Sequence, residues 1–148
     1  MGIIRGSYCL CIRVEEERDI RIGALGVIAF PKGRYVYVGS ALNSLFPRLS
    51  RHLRTSKGEG RVVHWHIDHL LREPGVEIEA IYATDWVVRM ECEIAAKIAE
   101  VGEPVPRFGC SDCTCQSHLY RVNSFGFIKE TGLKKVDLST LASSPSPR

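Results

Sequence analysis

The chain has 148 residues, 45% of them hydrophobic, with a formal charge of +3. That length fits one domain able to bury a core. The charge is too small to prove a nucleic-acid ligand by itself. The first ten residues lack the apolar run and small-residue cleavage site of a secretory signal, and no stretch approaches transmembrane length, so the expected setting is the cytoplasm, with no membrane partner.

Gly6 to Val14 reads as a strand, with Tyr8, Leu10 and Ile12 alternating against Ser7, Cys9, Cys11 and Arg13. The charged run Glu15 to Asp19 reads as a turn or short loop. Ile20 to Phe30 is a second extended segment broken at Gly23 and Gly26, and Pro31-Lys32-Gly33 is a turn signal. Arg34 to Gly39 is the clearest strand. A helix follows from Asn43 or Ser44, either of which can cap it, with Pro47 tolerated in its first turn. Leu45, Leu49 and Leu53 form its apolar stripe. After the loop Thr55 to Gly60, Val62 to Arg72 predicts a second helix, stopped by Pro74-Gly75. Val76 to Ala83 alternates as a strand. Asp85 can cap a third helix running to Val101, ended by Gly102 and Pro104.

Pro106 to Ser117 is a loop rich in Gly, Cys and Ser. His118 to Val122 and Phe125 to Ile128 are expected to close a hairpin around Asn123-Ser124. From Lys134 the apolar content falls, so the reading divides the chain into a domain over 1–133 and a flexible tail over 134–148. The fold class expected is α+β: a small domain with a central, mainly antiparallel sheet flanked by helices.

Three groups of residues carry candidate chemistry. The first is Tyr8 and Tyr37 on two strands, followed by Arg48 and His52 four apart on one helix face. A tyrosine in a strand is ordinarily a packing residue. A guanidinium beside an imidazole, however, can hold a phosphate and move a proton. Gly6-Ser7-Tyr8, then Tyr37-Val38-Gly39-Ser40, then Arg48 with His52, then Glu91 on a later helix, resemble in that order the GIY-YIG nuclease superfamily. His64-Trp65-His66-Ile67-Asp68 and the stretch from Gly109 to Leu119 look like an uncharacterised branch of it, sometimes fused to base-excision endonucleases, which implies a repair-protein partner.

The resemblance implies a DNA endonuclease. Glu91 would hold one divalent metal, Mg2+ or Mn2+; Tyr8 or Tyr37 would help activate water; Arg48 would bind the scissile phosphate. It places the two tyrosines, Arg48 and Glu91 on one concave surface. Three departures stand out, the first being Ser7 in place of the family's usual aliphatic middle residue. The interval between Tyr8 and Tyr37 is longer than the family's usual hairpin, and Gly109 or Ser111 falls where many members carry an asparagine. A non-catalytic nucleic-acid-binding module with the same fold is the alternative.

The second group is His64, His66, Asp68 and His69. On a helix His64 and His66 point about 200° apart and cannot share an ion, so a capped amphipathic helix with Trp65 in the core is favoured over a metal site. The resemblance makes His64 or His66 an accessory residue of the active site. The third group is Cys110, Cys113, Cys115 and His118. Zinc, a disulfide, and buried thiols with Asp112 and His118 facing the active site all fit that spacing. Cys9, Cys11 and Cys92 are expected to pack as small hydrophobes.

The cations Arg48, Arg51, Arg54, Lys57 and Arg61 are interrupted only by Glu59. Such a run is ordinarily a solvated face. Next to the proposed phosphate site it reads as a groove for a nucleic-acid backbone.

Overall fold

In the computed structural model the described residues are 6–41, 45–59, 63, 65–84, 91–109 and 116–139, with Glu91 described by its backbone alone. The fold is α+β. Strands β1 (Gly6–Val14), β4 (Gly33–Ala41) and β5 (Val76–Thr84) form the centre of a six-stranded sheet. Strands β6 (Glu103–Pro104), β7 (Leu119–Val122) and β8 (Lys134–Val136) complete it in the order β6-β7-β4-β1-β5-β8, with every pairing antiparallel. A separate ribbon pairs β2 (Arg18–Arg21) with β3 (Val27–Phe30).

Because β1 lies inside the sheet, both of its faces are covered. Tyr8, Leu10, Ile12 and Val14 face one side. Cys9 and Cys11, which the alternation placed with the polar positions, face the other and are fully buried. Period-two geometry separates the two sets. The first face is covered by α1 (Leu45–Ser56), α2 (His66–Leu71) and the ribbon, through Leu45, Leu49, Leu53, Ile67, Leu70, Ile20 and Phe30. The second is covered by α3 (Glu91–Ala99), through Ile94, Ala95 and Ile98, and by a 3₁₀ helix over Gly126–Thr131 that inserts Ile128. The result is three layers, with the sheet in the middle.

Several expectations are corrected. The predicted second helix begins only at His66. The Asp68 carboxylate accepts the backbone N–H of Trp65 at 2.9 Å, and Trp65 is held extended (φ −117°, ψ 164°), which fixes the helix start three residues before Asp68. The expected third helix ends at Ala99, short of Val101, where Val101 and Gly102 both donate to the Ile98 carbonyl. Phe125 to Ile128 is not a hairpin strand. The 3₁₀ helix there buries Ile128 and stops at Gly132, whose φ of 89° is left-handed. The chain then crosses to the far edge of the sheet, where Lys134–Val136, placed beyond the domain by composition, pairs with Ile81, Tyr82 and Ala83. Asp19, read as loop, belongs to β2. Cys92 is exposed on α3 rather than packed. Among the described residues no helix is long and apolar enough to cross a membrane.

Candidate functional site

Tyr8 and Tyr37 come from adjacent strands and face the α1 layer. Tyr8 is paired across the sheet with Gly39, and its ring lies directly over that residue: a Cβ on Gly39 would sit 2.5 Å from the Tyr8 oxygen and 2.6 Å from Cζ. The glycine of Tyr37-Val38-Gly39 is thus a seat for the tyrosine of Gly6-Ser7-Tyr8. From that seat the Tyr8 hydroxyl reaches Nε2 of His52 on α1, at 2.9 Å, in a buried hydrogen bond. The ring of Tyr37 stands edge-on to His52, with centroids 6.5 Å apart.

His52 is 1% exposed. Burial, followed by the nearby Arg51 and Arg48 and opposed by Asp68, pushes its pKa from 6.5 down to about 3, so it is neutral at pH 7. Its Nδ1 is buried with no hydrogen-bond partner in the structure. A neutral imidazole holding a tyrosine hydroxyl can accept that proton, provided something compensates the imidazolium that forms.

Arg48 and Arg51 flank Trp65, their Cζ atoms 4.9 and 4.6 Å from the centroid of its ring. Arg48 also donates from Nη1 to the Ser40 carbonyl at the end of β4. Arg51 makes a two-pronged ion pair with Asp68, at 3.1 and 3.0 Å, and Asp68 is wholly buried. Arg51, expected to bind a nucleic-acid backbone, is therefore tied to a buried carboxylate while its own side chain stays 27% exposed. Arg54 lies half-buried near the end of α1, and Lys57 is exposed just beyond it. Arg61 and His64 lie outside the described residues.

His66, at the start of α2, accepts the Gly109 backbone N–H on Nδ1 at 2.9 Å, which puts any proton of the neutral ring on Nε2. Burial lowers its pKa, with a further contribution from His69. A Cβ on Gly109 (φ 75°) would lie 3.2 Å from His118 Cβ and 3.4 Å from Tyr37 Cε1, so this glycine lets the chain pass between them. Phe108 packs under Tyr37 and His66, with centroids 6.1 and 5.7 Å away. His118 is buried beside this turn. The structure thus brings together Tyr8, Tyr37, Arg48, Arg51, His52, His66 and His118. Cys110, Asp112, Cys113 and Cys115 lie outside the described residues.

Glu91 is not brought into this set, and the expectation that it shares one surface with the tyrosines and Arg48 is not met by its helix. It opens α3, whose buried residues cover the opposite face of the sheet from α1. Thr84, where β5 ends ahead of that helix, pairs with Ser7, and Ser7 pairs with Ser40, the residue that anchors Arg48.

Trp65, expected in the core, packs against it and also lies against both arginines, while Asp68 grips Arg51. Both are parts of the site. The available signal was the spacing: an acidic residue three positions after Trp65 is a helix-start signature that also puts the carboxylate under the helix.

No curated protein and no solved structure matches the chain. The model of one family, described as the domain of unknown function DUF123, matches residues 7–138, a span that takes in the sheet from the second residue of β1 onward and both covering layers. The chain belongs to the DUF123 family.

Proposed function

We propose that the protein is a metal-dependent endonuclease of the GIY-YIG type, hydrolysing phosphodiester bonds in DNA in a repair or processing setting. The observation that carries this reading is the buried hydrogen bond between Tyr8 and the neutral His52, within the field of Arg48. A tyrosine in a strand needs no histidine partner in order to pack. A buried imidazole, with one nitrogen on a hydroxyl and the other without a partner, is an expensive feature unless it serves chemistry. The order of the motifs along the chain, and the placement of both tyrosines against α1, support the same reading.

In this mechanism Arg48 binds the scissile phosphate and stabilises its growing charge. Tyr8 takes a proton from the attacking water as its own proton passes to His52 Nε2. Tyr37 packs against His52 and keeps bulk water from the pair. Asp68 already accepts at least three hydrogen bonds, two from Arg51 and one from the Trp65 backbone, so it is poorly suited to bind a metal. In this reading Glu91, the carboxylate that the order of the motifs points to, would hold an ion together with phosphate oxygens, which suits the sparing protein ligation of Mg2+. When bound, that ion would neutralise charge on the leaving oxygen.

Gly109 supports a second reading. Gly109 or Ser111 falls where many GIY-YIG members offer an asparagine side chain, and the Gly109 N–H is spent on His66. A DNA-binding module without turnover is compatible with that. The deciding assay is Mg2+- or Mn2+-dependent nicking of labelled duplex and branched DNA by wild type, Tyr8→Phe and Glu91→Gln. The nuclease reading expects nicking by wild type, a loss of about 100-fold or more in Tyr8→Phe, and no cleavage with retained binding in Glu91→Gln. Binding without cleavage by the wild type on every DNA would establish the module instead, and no binding would end both readings.

A further inference from the structure

The signature residue Trp65 has no role in the mechanism above, and hydropathy alone would leave it in the core. Its surroundings are not those of a simple core residue. It is half-buried, its ring carries the two guanidinium groups of Arg48 and Arg51, and His52 lies 6.0 Å away. Its backbone is fixed by the same buried Asp68 that grips Arg51. Among the described residues, Arg48 has one hydrogen bond to help fix it, to the Ser40 carbonyl. A long side chain held by one hydrogen bond explores many rotamers, whereas a flat guanidinium against an indole face is confined to a plane.

We propose that Trp65 is a positioning residue for phosphate binding: its indole, locked by Asp68 and Arg51, holds the Arg48 guanidinium where it meets the nucleic-acid backbone. This rests on the phosphodiester reading of Arg48. It assigns the ion pair of Arg51 and Asp68 a purpose besides stability, since that pair is what aligns the indole. Arg51 thus acts on the substrate through Trp65 and Arg48.

The test is equilibrium binding of a labelled DNA duplex, without divalent metal, over a series of salt concentrations. The proteins compared are wild type, Arg48→Ala, Trp65→Leu, Trp65→Phe and the double variant Arg48→Ala/Trp65→Leu. Thermal unfolding of each gives the folded fraction, to which affinities are referred. Arg48→Ala is expected to weaken binding on the order of ten-fold and to reduce the salt slope by about one. Trp65→Leu, which removes the π face, should weaken binding roughly five-fold, with a shallower salt slope. The double variant should bind no more weakly than Arg48→Ala, because the indole acts only through that arginine. Trp65→Phe should fall between wild type and Trp65→Leu.

Wild-type affinity and slope in both Trp65 variants, with Arg48→Ala impaired, would overturn this inference and leave the phosphate reading standing. An unimpaired Arg48→Ala would overturn both. Additive losses in the double variant would also overturn it, by showing that Trp65 touches DNA independently. If Trp65→Leu does not fold, Trp65→Phe decides: wild-type binding by its folded fraction means a packing role only, and weaker binding with a shallower slope supports the inference.

Discussion

The two faces of the central sheet are built from the same strands and differ in what they bury. Against α3, β1 presents Cys9 and Cys11 to Val36, Val38, Ile94 and Ala95. That layer is closed by aliphatic and aromatic side chains, Tyr82 and Tyr120 among them, and burial pushes the Cys11 thiol up to about 12, far from reactivity. Against α1 and α2, one residue along, the same strand presents Tyr8 to a buried histidine, and behind it a wholly buried carboxylate is matched to an arginine. Folding alone needs only the first kind of face. A buried ion pair is weak evidence for stability, since apolar replacements of like volume often do as well. The polar face thus carries features that folding alone does not require.

The largest expected effect comes from breaking the ion pair on the polar face. Arg51→Ala strands the Asp68 carboxylate in the interior and should cost about 3–5 kcal/mol in chemical denaturation. Asp68→Asn combined with Arg51→Ala should recover part of that loss. A loss below ~1 kcal/mol in Arg51→Ala would mean the pair is solvated and the contrast between the faces overstated.

Gly39→Ala attacks the seat of Tyr8. The added methyl cannot coexist with the ring, so the ring must leave or the strands must part, at a cost of about 1–3 kcal/mol. Nicking should be lost with it. An alanine variant of wild-type stability and activity would show that Tyr8 does not depend on this seat.

Acid sharpens the comparison further. The His52 pKa is depressed in the folded state, so between pH 6.5 and about 3 the unfolded chain binds a proton that the native chain refuses. Stability contributed by this group is present above pH 6.5 and is lost as pH falls, with a slope of up to about 1.4 kcal/mol per pH unit. Denaturation midpoints of wild type and His52→Gln between pH 4 and 8 should converge as pH falls. Parallel curves would mean that His52 titrates alike in both states.

The smallest effect is on the apolar face. Cys11→Ala should cost about 1 kcal/mol and leave DNA affinity unchanged. An affinity change there would show that the two faces are coupled through β1.

Much of this contrast was legible in the residues. Alternation gave β1, β4 and β5, and the spacing of Leu45, Leu49 and Leu53 gave α1 with its buried side. Arg48 and His52 at helical spacing do sit at one site, joined there by Trp65. What could not be read came from partners distant in sequence. Gly39 under Tyr8 depends on strand register, and Asp68 under Arg51 depends on how α1 and α2 pack, neither of which a local pattern carries. Phe125 to Ile128 has the apolar content of a strand, but the burial of Ile128 decided otherwise, since β-propensity is largely a matter of context. Lys134–Val136 is short and charged because it is an edge, and composition mistook an edge for an exit.

That edge has a bearing on how the protein must be handled. Strand β8 pairs with Ile81, Tyr82 and Ala83 of β5 and offers the solvent two lysines. A chain cut at residue 133 keeps every proposed site residue and removes this cover. It leaves the rim of β5 as a run of unpaired amide and carbonyl groups beside apolar side chains, a template for another copy of itself. Such a fragment is expected to assemble into oligomers on sedimentation before it loses its ligand. Three residues that looked like the beginning of a tail act as the selvedge of the sheet, keeping it from knitting onto its neighbours.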